Sequence, residues 1–112
     1  MSRETKRLEF NARLKEILGS DNVYFQPPAS IHMAYPCFVY SYESSDNFHA
    51  DDMKYLTNYR YALTYITKDP LPDEIMAILD AMPYTRLTRH YEADNLHHFS
   101  YDVHLLERAQ NG

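Results

Sequence analysis

The sequence has no tryptophan, only two glycines and a single cysteine among its 112 residues, and each shortage removes a class of function. The glycines, Gly19 and Gly112, lie near opposite ends of the chain. No Gly-rich loop can therefore cradle a phosphate, and no Gly-flanked serine of the hydrolase type is possible. Cys37 has no second cysteine to pair with inside the chain, which fits a reducing cytoplasm. As a nucleophile it would need a nearby histidine and a lowered pKa. At an apolar strand start beside Phe38 it reads as inert packing instead. Eleven Lys and Arg stand against 16 Asp and Glu, a formal net charge of −5 with a pI near 5.6. That leaves no cationic surplus to displace counterions from a nucleic-acid backbone. No stretch approaches the roughly 18 consecutive apolar residues that a membrane helix requires. The charged start, Met1 to Arg7, runs into a helical pattern without an apolar signal region, so the expected location is the cytosol unless a larger assembly carries the chain elsewhere.

The sequence is rich in tyrosine, with 11 Tyr beside 5 Phe. A tyrosine ring is apolar and its hydroxyl needs a partner, so the residue suits both strands and surfaces that are wet in a free subunit and covered in a complex. The length fits one domain, residues 1–112, able to bury roughly two-thirds of its unfolded surface without metals or disulfides.

Along the chain, residues 3–18 predict an amphipathic helix, with Phe10, Leu14, Ile17 and Leu18 on one face. Gly19 follows where a helix cap favours positive φ. Val23 to Phe25, stopped by Pro27 and Pro28, makes at most a brief edge strand. Pro36 leads into a strand over Cys37 to Glu43, with Phe38, Tyr40 and Tyr42 on one face. Asn58 to Thr67 alternates again and places Tyr59, Tyr61, Leu63 and Tyr65 together. Between these strands, residues 44–56 are polar and acidic with scattered apolar side chains, and read as a long loop that is either functional or mobile. A second helix begins near Asp73 and Glu74, with Ile75, Ile78, Leu79 and Met82 as its apolar face, and ends at Pro83. Residues 84–91 and 97–106 form a hairpin around Asp94-Asn95, both residues that tolerate left-handed backbone. Its last strand places Phe99, Tyr101, Val103 and Leu105 on one face and the polar His98, Ser100, Asp102 and His104 on the other. Residues 108–112 read as a frayed tail.

This order predicts the α+β class: a mostly antiparallel sheet of four to five strands with two helices packed on one face. A Tyr-rich outer sheet face is then expected to meet a partner.

The richest titratable cluster is His90, Glu92, Asp94, His97, His98, Asp102 and His104. Imidazoles and carboxylates are ordinary zinc ligands, so a small metal-dependent enzyme using the His90/His98 hairpin is the alternative from another class. His98 and His104 are roughly 20 Å apart along one strand, too far for one ion. No Cys partner and no His-x-x-x-His pair supports them. The expectation is no catalytic residue, no metal and no cofactor.

The run Val23-Tyr24-Phe25-Gln26-Pro27-Pro28, followed by Tyr35-Pro36-Cys37-Phe38-Val39-Tyr40, resembles small neck and tail proteins of tailed bacteriophages. So does the stretch Tyr59 to Pro70, continuing through Arg89-His90-Tyr91 and Asp94-Asn95-Leu96-His97-His98. The similarity covers about residues 8–105, and the element order resembles the tail terminator (tail completion) fold. What the resemblance implies is a non-enzymatic virion subunit, present in the host cytoplasm during assembly. It would form a ring, typically hexameric, on the tail tube protein, end tube polymerisation and offer a docking surface to the head connector. DNA would pass through without being specifically bound, and no membrane would be involved. A head-completion or head–tail connector adaptor is the nearest alternative, and a binding module with no virion role a further one. The positions expected at the subunit interface are Phe48, His49, Asp51, Asp52 and Lys54, all in the 44–56 segment.

Overall fold

Phe10 and Leu14, one helical turn apart in sequence, are both buried, and together they dock the first helix on the sheet. The structure, a computed structural model, describes residues 3–50, 53–82 and 84–108. Helix α1 runs Arg3–Leu18 and ends where Gly19, at φ 75°, donates its N–H to Lys15 O at 2.8 Å. This is the left-handed cap that glycine adopts without a Cβ penalty. Strand β1, Val23–Phe25, pairs in parallel with β2, Cys37–Ala50. The hairpin continues through β3, Met53–Thr67, then helix α2, Glu74–Ala81, and the strands β4, Thr85–Ala93, and β5, Leu96–Arg108. The sheet order is β1-β2-β3-β5-β4, antiparallel everywhere except at β1. This is the α+β class, with both helices on one face. Asp94 and Asn95, at φ 53° and 63°, form the two-residue turn between β4 and β5, the pairing of left-handed residues that matches strand twist. Among the described residues no helix is long and apolar enough to cross a membrane.

Cross-strand register explains the core. One row aligns Phe38, Tyr65, Phe99 and His90, the next but one Tyr40, Leu63, Tyr101 and Leu87, and a third Tyr42, Tyr61, Val103 and Thr85. These rows face the helices. Phe10 of α1 meets Tyr40 edge-on at 5.1 Å and Tyr61 at 5.5 Å between ring centroids. Tyr40 Oη donates to Asn11 Oδ1 at 2.7 Å, and Tyr65 Oη donates to Glu74 Oε1, in the first turn of α2, at 2.8 Å.

The expected Tyr-rich outer face is therefore corrected. Tyr40, Tyr59, Tyr61, Tyr65 and Tyr101 are all buried on the helix side. Strand parity had grouped them properly, but parity alone does not say which face a helix covers. Two of these hydroxyls, on Tyr40 and Tyr65, reach polar side chains on the helices and that of Tyr59 reaches Glu107 of β5, so these large rings fill the core with their oxygens paired. On the outer face the two central rows carry small or short side chains, Val39, Thr64 and Ser100 in one and Ser41, Ala62 and Asp102 in the other.

A second correction concerns residues 44–56. They are not a loop: β2 extends to Ala50 and β3 starts at Met53. The register shifts between Tyr42 and Ser44 and again between Phe48 and His49. Each such bulge inserts a residue out of phase, which destroys the alternation from which a strand is read in sequence. Arg108, expected in the frayed tail, is the last residue of β5; the rest of that tail, residues 109–112, lies outside the described residues.

Candidate subunit interface

Because β2 and β3 outrun their neighbours, the molecule has a projecting end. Strand β4 has 9 residues and stops pairing at Thr85 with Val103, whereas β5 has 13 and continues to Arg108. At the other margin β1 covers β2 only from Phe38 to Tyr40. The sheet thus narrows to three strands, made of residues 43–50, 53–60 and 104–108. The long axis of the molecule measures 52 Å against 26 and 22 Å for the others. Among the described residues of β2 and β3 beyond Tyr59 towards the tip, none is a buried apolar one.

The extension is held mainly by its ladders. Thr57 Oγ1 donates to Asn47 Oδ1 at 2.9 Å, Tyr42 Oη and Ser45 Oγ share a hydrogen bond, and Asn58 meets His104 Nδ1 at 3.0 Å. Tyr59 Oη donates to Glu107 Oε1 at 3.3 Å. Phe48 is 48 % exposed and, with Leu56, Leu106, Asn58, His104 and Tyr84, lines a shallow concavity of about 420 Å³. A second hollow of about 250 Å³ lies around the same margin of β5, between Phe10 and Arg13 of α1, Met82, Tyr84 and Leu105. Tyr84 is 61 % exposed and borders both hollows. An amphipathic ring in that position suits a surface that is covered on assembly.

Of the five positions expected at an interface, Phe48 and His49 are exposed near the hairpin tip. Lys54 is paired in register with His49, and Asp51 and Asp52 lie outside the described residues. The sequence reading missed Tyr84, Leu105 and Leu106. Their signal was strand length: the last strand carries apolar residues further than its hairpin partner does, so its end must be left without a neighbour.

The remaining chemistry-bearing groups are dispersed. His90 stacks on Phe99 at 4.3 Å on the helix-side face, whereas His98 stacks on Tyr91 at 4.7 Å on the outer face. The pair His90/His98 is thereby corrected, since adjacent ladder rungs point to opposite sides of a sheet. His90 does meet His97, Nε2 to Nδ1 at 3.1 Å, with Glu92 Oε2 4.0 Å from His97 Nε2. Among the described residues no group of three or more His, Cys, Asp or Glu is placed to hold a metal ion. Cys37 is fully buried, and burial pushes its thiol up to about 11. Its row runs through Ile66 before reaching His98, roughly 10 Å away at ordinary strand spacing. Asp102 joins Arg86 at 3.4 Å and Arg60 at 3.9 Å on the outer face, a partly solvated network of little energetic weight.

No protein-family model and no curated protein matches the sequence.

Proposed function

We propose that this chain is a phage tail terminator (tail completion) subunit. It would form a ring, typically hexameric, that caps the tail tube, ends tube polymerisation and receives the head connector. The observation that carries this reading is the three-stranded extension, which projects from the packed domain with Phe48 exposed and two margins that have no strand partner among the described residues. An element of this kind contributes little to its own domain's core, and a ring subunit needs a different surface on each side to close a head-to-tail circle. The element order and the motifs quoted above support the choice of the phage neck in particular. The net charge of −5 is compatible with a channel through which DNA passes without adhering.

The test is to mix the purified protein with tail tubes and, separately, with portal-bearing heads, and to image both by electron microscopy. The expected result is a ring on tube ends, with no tube longer than its starting length after further tube protein is added. Binding to heads alone would replace this reading with that of a head-completion adaptor.

A further inference from the structure

The sheet treats its margins unequally. The margin at β4 carries a register shift between Leu87 and Arg89, with Arg86 and Arg89 exposed on either side. The margin at β1 is a three-residue strand followed by Pro27 and Pro28. Bulges, flanking cations, short strands and prolines are the devices that keep an edge from pairing with another chain. The extension has no cation and no proline on its β2 margin, where residues 43–49 read Glu-Ser-Ser-Asp-Asn-Phe-His; its register shifts lie at the two ends of that run, and Ser44 to Phe48 pair without interruption. On its β5 margin, His104 donates its N–H to Tyr84 O at 3.2 Å, which fixes the side towards which that residue's backbone points. By strand alternation the N–H and C=O of Leu106 point the same way, and among the described residues no strand pairs with them there.

We infer that the β5 margin around Leu106 is an acceptor for the β2 margin, residues 43–49, of a second copy of this chain, so that the sheet continues from subunit to subunit. This rests on the ring reading above and supplies its interface. A second copy is the occupant because each chain offers one margin of each kind on opposite sides of the same extension, which is the heterologous arrangement that a ring requires. Charge agrees with it. Exposed Glu43 and Asp46 flank the β2 margin, whereas exposed Arg108 ends the β5 margin and Lys6 and Arg13 outnumber Glu9 in the hollow beside Leu105; Glu107 of β5 is engaged by Tyr59. Shape agrees as well, since Leu105 and Leu106 fall on opposite faces of β5, Leu105 beside the hollow against α1 and Leu106 bordering both hollows. An added strand would have apolar lining for both of its faces.

The test compares wild type with Leu106→Pro and, separately, Asp46→Lys, by mass in solution and by imaging on tail tubes, with circular dichroism and thermal melting to establish folding. Proline removes the outward N–H of Leu106 and none that points towards β3; lysine at exposed position 46 reverses the charge of the donor margin. Each folded variant is expected to raise the protein concentration needed for ring formation roughly tenfold or more. If either folded variant assembles like wild type, edge pairing is overturned while the ring reading stands. If Leu106→Pro does not fold, Asp46→Lys decides, its side chain being exposed. If wild type forms no ring either alone or on tubes, the ring reading itself fails and the pairing with it.

Discussion

Tyr40 and Tyr101 face the same core, yet their hydroxyls are treated differently, and this sets opposite expectations for removing them. Tyr40 Oη donates to Asn11 and lies 3.3 Å from Arg7 Nη1. Tyr40→Phe leaves those helix groups partly unsatisfied and should lower stability by about 1 kcal/mol in denaturant titration. Tyr101 Oη is buried with no hydrogen-bond partner among the described residues. Tyr101→Phe removes a desolvated oxygen and should leave stability unchanged or raise it by up to about 1 kcal/mol; a clear loss would mean that the oxygen has a partner. The same burial governs behaviour in alkali. Cys37 rises from 9.0 to about 11, and Tyr65 and Tyr101 are raised too, chiefly by desolvation, with Glu74 adding to the effect at Tyr65. Raised values mean that the unfolded chain releases these protons first. Stability is thus fully present below about pH 9 and falls as pH climbs towards 11, with Cys37 alone contributing on the order of 2–3 kcal/mol. Denaturant midpoints measured across that interval should decline, and less steeply for Cys37→Ala.

At the scale of elements, the regular parts of the fold were legible. The face of α1, its stop at Gly19 and the turn at Asp94-Asn95 each depend on a local rule that nothing distant overrides. The strand faces were legible too, since Tyr59, Tyr61, Leu63 and Tyr65 alternate without interruption. Two features were not. Which face the helices cover depends on packing between distant segments, so the tyrosines were assigned to the wrong side. The hairpin tip was hidden by the shifts at Tyr42/Ser44 and Phe48/His49, the first of which puts Phe48 out of phase with Phe38, Tyr40 and Tyr42 on the strand it extends. Of the expected interface positions, the tip's location came from composition alone, and the β5 margin needed the pairing itself. Deleting residues 46–54 should accordingly leave a folded domain. The residues of that span whose burial is described, 46–49, are all exposed, and among the described residues the deletion removes the side-chain bond between Asn47 and Thr57. A cooperative melt with ring formation abolished is the expected outcome, read by calorimetry and light scattering.

At the scale of the whole molecule, a domain with a closed core on one side and a 52 Å long axis is built to reach beyond itself. The core is aromatic and aliphatic, and the described groups capable of chemistry are spread over two faces of the sheet. What remains unsatisfied is the extension, with its exposed Phe48 and Tyr84 and its open margins. The account therefore stands or falls on assembly. The most direct measurement is the mass and symmetry of the purified chain, alone and bound to tail tubes, by native mass spectrometry and electron microscopy. The account predicts a closed ring of near six 13.3 kDa subunits seated on tube ends; a chain that stays monomeric and ignores the tubes would contradict it.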